Sequence, residues 1–167
     1  MSNSRTGGSA DRSQRAPGAA RDELETTLTT LARVGMALGA QRVELFSTTD
    51  AAHVHLECCW AVTPLDLRDR PATHDELPLG WFPWGLGMIK PNEYVFVQNA
   101  GQLPVDPDGA RTLAELSVGS TLHIPLVDNA SLRGALCVMW VGERRSWSIS
   151  RYRQVVDLAL SALDLAV

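Results

Sequence analysis

Four side chains able to ligate metal fall at every second position of one short run: His53, His55, Glu57 and Cys59. Imidazole, carboxylate and thiolate are the ligands zinc takes, and alternate residues of a β-strand share a face. Along a straight strand, however, successive members of such a row stand about 7 Å apart, whereas tetrahedral zinc draws its ligands to within about 2 Å of one point. At most two of the four can share an ion. The row is therefore read as a solvated or pocket-edge face with no metal site. The intervening residues Val54, Leu56, Cys58 and Trp60 read as the apolar face of the same strand.

The chain has three cysteines, so they cannot all pair. Cys58 and Cys59 are adjacent and point to opposite sides of a strand, and reduced thiols follow. Their redox role stays open, although no Cys-X-X-Cys spacing is present to lower a thiol pKa. His123 sits between Leu122 and Ile124, so its ring faces away from theirs. Hydrogen-bonded structural histidine, ligand contact and haem ligation are its alternatives; no haem attachment motif accompanies it. A second concentration of chemistry is aromatic: Trp81, Phe82 and Trp84 lie within four positions, between Pro78 and Pro91. They line a cavity for a planar ligand or plug it with protein. No phosphate-cradling Gly-rich loop, nucleophile elbow or metalloprotease helix is present, and the expectation is a non-catalytic chain.

These residues need elements to position them. Leu24, Leu28, Leu31, Gly35 and Leu38 recur at steps of four and three, which predicts one stripe of a helix ended by Gly39 as a left-handed cap. Strands are expected at about residues 42–48 and 53–61, joined by a turn at 49–52, and at about 94–98. Residues 120–126 and 135–141 form two more strands around turn chemistry at 127–134, the second apolar on both faces and so central. Pro83 is placed to open a short helix through about residue 89, and 109–116 read as another. A final helix, about 148–167, begins with a serine cap after Trp147. The first twenty residues are polar, small and aperiodic, which predicts a disordered tail followed by one domain over 21–167.

Composition bounds the function. A 45% hydrophobic, 20% charged chain of 167 residues has enough apolar content for one globular core. A net charge of −4 gives no basic surface for nucleic acid. No apolar run approaches the roughly 20 residues needed to span a bilayer, and no signal-like core opens the chain, so a cytoplasmic setting without membrane is expected.

The order of elements after residue 118 resembles the closing half of a GAF domain, a sensory module of bacterial signalling proteins and cyclic-nucleotide phosphodiesterases. Ser120, Leu122, Ile124, Pro125 and Leu126 match one strand, Gly134 opens the next, and Trp147 and Ser148 precede the last helix. Residues 24–46 are similar to that family's first helix and strand. The resemblance implies an α+β fold: a central antiparallel sheet, with N- and C-terminal helices on one face and a loop and short-helix region over the other. It also implies a pocket. Trp60, Trp81, Phe82, Trp84, Ser120 and His123 are the candidate ligand-binding residues, and the ligand is unnamed.

The expected function is that of a regulatory domain in signal transduction, binding a small molecule, dimerising, or both, to control an output domain or partner. Whether the chain is a piece of a longer signalling protein stays open. Leu158 and Leu165 extend the apolar surface of the last helix around its side and are the candidate homodimer contacts. The alternative is a structural interaction module with a plugged pocket. A lesser one is an enzyme resembling free methionine sulfoxide reductase, whose pocket cysteines Cys58, Cys59 and Cys137 do not resemble in spacing.

Overall fold

Two strands, β1 (Arg42–Thr48) and β6 (Ser131–Val141), form the middle of the molecule, and residues 42–47 and 134–140 are buried without a break. A computed structural model describes residues 17–48, 50, 52–62, 76–81, 93–99, 118–129, 131–142, 147, 150 and 152–166. The other strands are β2 (His53–Ala61), β3 (Glu76–Pro78), β4 (Val95–Val97) and β5 (Val118–Asp128). They make one antiparallel sheet in the order β3-β2-β1-β6-β5-β4. Helices α1 (Pro17–Leu38) and α2 (Tyr152–Ala166) pack on each other and on one side of this sheet. The expected α+β architecture is the one observed.

The helix-side core is aliphatic. Leu31, Val34 and Leu38 of α1 and Val155, Ala159, Ala162 and Leu163 of α2 meet Val43, Leu45, Leu122, Ile124, Leu126, Leu136, Val138 and Trp140. Gly39, at φ 60°, ends α1 as expected: its N–H donates to Met36 O at 3.2 Å and Ala40 N–H donates to Gly35 O at 2.9 Å. Those are the two bonds of a Schellman cap.

Several expectations change. Helix α1 starts at Pro17, inside the stretch read as tail, because proline fits the first helical turn and Ala19 and Ala20 propagate it. Residues 1–16, and the short helices expected at 83–89 and 109–116, lie outside the described residues. The leucine stripe does not define the buried face: Leu24 and Leu28 are exposed, while Thr27 and Val34 turn inward. At Gly35 the helix rests on the Trp60 ring, where an added Cβ would fall 2.0 Å from a ring carbon, and this contact sets the helix rotation. The β5–β6 hairpin is tighter than expected, with Asp128 paired to Ser131 and Asn129 in the left-handed region at φ 47°. Helix α2 is described over Tyr152–Ala166, the cap expected at residue 148 lies outside the described residues, and β3 is a short edge strand inside the proline-rich segment.

The largest difference lies in β2. Leu45 pairs with Cys58 but Phe46 pairs with Leu56, so Glu57 is an extra residue, a β-bulge. Val54 and Leu56 then pack with Phe46, Leu77 and Met139 on the side away from the helices, while Cys58 and Trp60 pack with the helix-side core. The single apolar face read from alternation is divided between the two sides of the sheet.

Candidate functional site

The side of the sheet away from the helices carries a set of buried polar groups. Val43 and Leu45 point to the helices, so Arg42 and Glu44 point the other way, and both are buried. Arg42 Nε and Nη2 both donate to Glu44 Oε1, at 2.8 and 2.6 Å. A guanidinium and a carboxylate two residues apart on one strand thus neutralise each other inside the protein.

On β5 the same alternation sends Thr121 and His123 to this side. His123 is 3% exposed and Thr121 is wholly buried. His123 Nε2 lies 2.9 Å from Thr121 Oγ1, and its Nδ1 lies 3.4 Å from Cys137 Sγ on β6. Burial pushes the His123 pKa down to about 3, so the ring is neutral at physiological pH.

Register joins these groups into one array. His123 pairs with Cys137, Cys137 with Glu44, and Glu44 with Cys59, giving a row across β5, β6, β1 and β2. The adjacent row is Thr121, Met139 and Arg42. Apolar Phe46, Val54, Leu77, Val118 and Ala135 share this side of the sheet. The arrangement offers a buried cation–anion pair, a hydroxyl, a neutral imidazole and a thiol.

The sheet separates the predicted site residues. His123 belongs to the array. Ser120 does not: its hydroxyl donates to Gln98 O at 2.9 Å and to Gly142 O at 3.1 Å, closing the strand end beside the bulge at Gly119. Trp60 lies on the helix side against Gly35. Trp81 is described in backbone only, in the turn Leu79–Trp81, and Phe82 and Trp84 lie outside the described residues. Of the candidate dimer contacts, Leu158 packs against the helix-side core and Leu165 is half-buried.

The alternating row of β2 also dissolves. His53 Nδ1 lies 3.1 Å from both carboxylate oxygens of Asp50, which also accepts from the Ala52 and His53 N–H groups; these bonds hold the Asp50 pKa below the usual carboxylate value. Glu57 Oε1 accepts from Ser47 Oγ, and Glu57 Oε2 is 4.0 Å from His55. Among the described residues no three His, Cys, Asp or Glu side chains are grouped to hold a metal ion. Cys58, Cys59 and Cys137 form no disulfide with one another, and burial raises the Cys58 pKa to about 11. Cys59 and Cys137 flank β1, roughly 9.5 Å apart at two strand spacings, too far for a disulfide without backbone movement.

Arg42, Glu44, Thr121 and Cys137 were not singled out as pocket residues from the sequence. Their signal was charged or polar residues alternating with apolar ones on strands that proved central.

A six-stranded antiparallel sheet in this order, with its terminal helices on one side and a buried polar array on the other, has the GAF fold. No family model matches the sequence, and no curated protein matches it. Solved structures do. The GAF domain/HD domain protein from Geobacter sulfurreducens superposes with a TM-score of 0.68 at 14% identity, covering 92% of this chain and 96% of that one. The blue-light absorbing form of the Thermosynechococcus elongatus PixJ GAF-domain gives 0.65 at 18% identity, over 90% and 89%. Type II free methionine-R-sulfoxide reductase from Thermoplasma acidophilum gives 0.61 at 12% identity, over 89% and 94%.

Proposed function

We propose that this chain is a non-catalytic sensory module of the GAF type, which takes a small molecule against the polar side of its sheet and passes that occupancy to an output domain or partner. The observation supporting the reading is the buried array of Arg42, Glu44, Thr121 and His123 on the side opposite the helices. A core that only had to be stable would be filled more cheaply with apolar side chains, because each buried polar group needs its hydrogen bonds supplied. His123 is the predicted ligand residue that stands on this side, and Trp81, Phe82 and Trp84 are proposed to stack on a planar ligand. The PixJ GAF-domain is light-absorbing and the Geobacter sulfurreducens protein is a GAF domain/HD domain protein, which accords with a regulatory role.

Dimerisation belongs to this reading with its contact moved. Charge reversal at Leu158 would strike the core. Leu24 and Leu28, one turn apart, are exposed on α1, and a second copy would pack there. The reductase alternative finds less support, since Cys59 and Cys137 are separated by a strand.

Native mass spectrometry tests the proposal, followed by tryptophan fluorescence titration with a metabolite panel. A retained small molecule, or a saturable fluorescence change that disappears in Thr121→Val, is the expected result. A bare chain that responds to nothing in the panel would leave the interaction module with a plugged pocket as the better account.

A further inference from the structure

The thiol–imidazole contact at the centre of the array offers a chemistry that the sensing proposal does not use. Cys137 Sγ and His123 Nδ1 face each other at 3.4 Å across a directly paired position of β5 and β6. When Thr121 Oγ1 accepts the proton on Nε2 at 2.9 Å, the ring is the tautomer whose Nδ1 carries a lone pair directed at the sulfur. One thiol proton then lies between a soft sulfur donor and an imidazole nitrogen. Both side chains are buried, and the thioether-bearing Met139 shares their side of the sheet and the same apolar cluster as Cys137.

We propose that Cys137 and His123 form a two-coordinate site for a soft monovalent metal ion, Cu(I), bound between Cys137 Sγ and His123 Nδ1. The ion displaces the thiol proton: the S–H bond breaks, S–Cu and N–Cu bonds form, one proton leaves to solvent, and no electron is transferred. The charge of the buried site is unchanged by this exchange. A divalent ion would leave one positive charge in excess, and burying an uncompensated charge is costly. The neighbouring carboxylate does not offset it, because Arg42 already engages Glu44 at 2.6 Å. Softness adds to the selection, since thiolate and thioether surroundings favour Cu(I) over hard divalent ions. The site has two donors, Cys137 Sγ and His123 Nδ1.

The test is anaerobic titration of the intact chain with Cu(I) against a chromogenic bicinchoninate chelator, with Ag(I) as a redox-inert probe in native mass spectrometry. One ion bound and one proton released per chain are expected. Cys137→Ser should weaken binding at least about a hundredfold and Thr121→Val, which loosens the tautomer, about tenfold. The double variant Cys58→Ser/Cys59→Ser should bind as the parent does. Because Cys137→Ser alters a buried site, X-ray absorption on the Cu(I)-loaded parent supplies an independent readout: one sulfur and one nitrogen neighbour are expected. A shell of two sulfurs, loss of binding in the Cys58/Cys59 double variant, or equal affinity for Zn(II) would overturn the assignment.

Discussion

The two sides of the sheet solve different problems with the same strands. Toward the helices, β1, β5 and β6 present Val43, Leu45, Leu122, Ile124, Leu126, Leu136 and Val138, which need only pack. Away from them, the alternate residues Arg42, Glu44, Thr121, His123 and Cys137 are equally buried yet must each find a partner. The first side is held by area removed from water, which tolerates substitution of similar volume. The second is held by pairing, where removing one member strands another. A domain that needed only stability would have two sides like the first.

The sharpest way to break this comparison is at the ion pair. Glu44→Ala should cost about 3–5 kcal/mol in urea unfolding by leaving the Arg42 charge buried, whereas the double replacement Arg42→Met/Glu44→Leu should come within about 1 kcal/mol of the parent or exceed it. A double variant as weak as the single would show that the pair is not the unit. On the helix side, Leu163→Ala should cost about 2–5 kcal/mol, and Leu163→Met less than about 1.5, since only volume is at stake. Gly35→Ala drives a methyl into the Trp60 ring and should cost about 1–3 kcal/mol, a loss that Trp60→Leu removes. The fourth prediction concerns pH. Below about 6.5 the unfolded chain protonates His123 while the folded chain refuses the proton down to about 3, so its contribution is complete above 6.5 and falls as pH drops. Between pH 6.5 and 5.5 the parent should therefore lose about 1 kcal/mol more stability than His123→Gln, measured by paired denaturation curves.

Much of the fold could be read from local pattern. Apolar runs bounded by turn residues located β1, β2, β5 and β6, the run of 135–141 marked β6 as central, and Gly39 ended α1 where a left-handed cap was required. The site was less legible for two physical reasons. Strand order is set by nonlocal pairing, so nothing near Glu44 in the sequence announces that Cys137 lies beside it. Bulges have no composition of their own: Glu57 looks like any polar strand residue, yet it sends Trp60 to the helix side and leaves Leu56 on the other. Ser120 was displaced by the same kind of irregularity at Gly119.

The bulge at Glu57 can also be regarded as a change of phase. Upstream of it β2 is in step with one layer of the molecule, and downstream with the other. Substitutions along the strand leave that phase alone, and loss of Glu57 itself would leave Val54, Leu56, Cys58 and Trp60 on their present sides; deletion of a residue to one side of the bulge, such as His55, would instead carry Val54 to the other side of the sheet. Strand β2 is thus permissive in what it is made of and strict in how long it is on either side of the bulge, and a comparison of sequences that slides by one position across residue 57 would set unlike environments side by side.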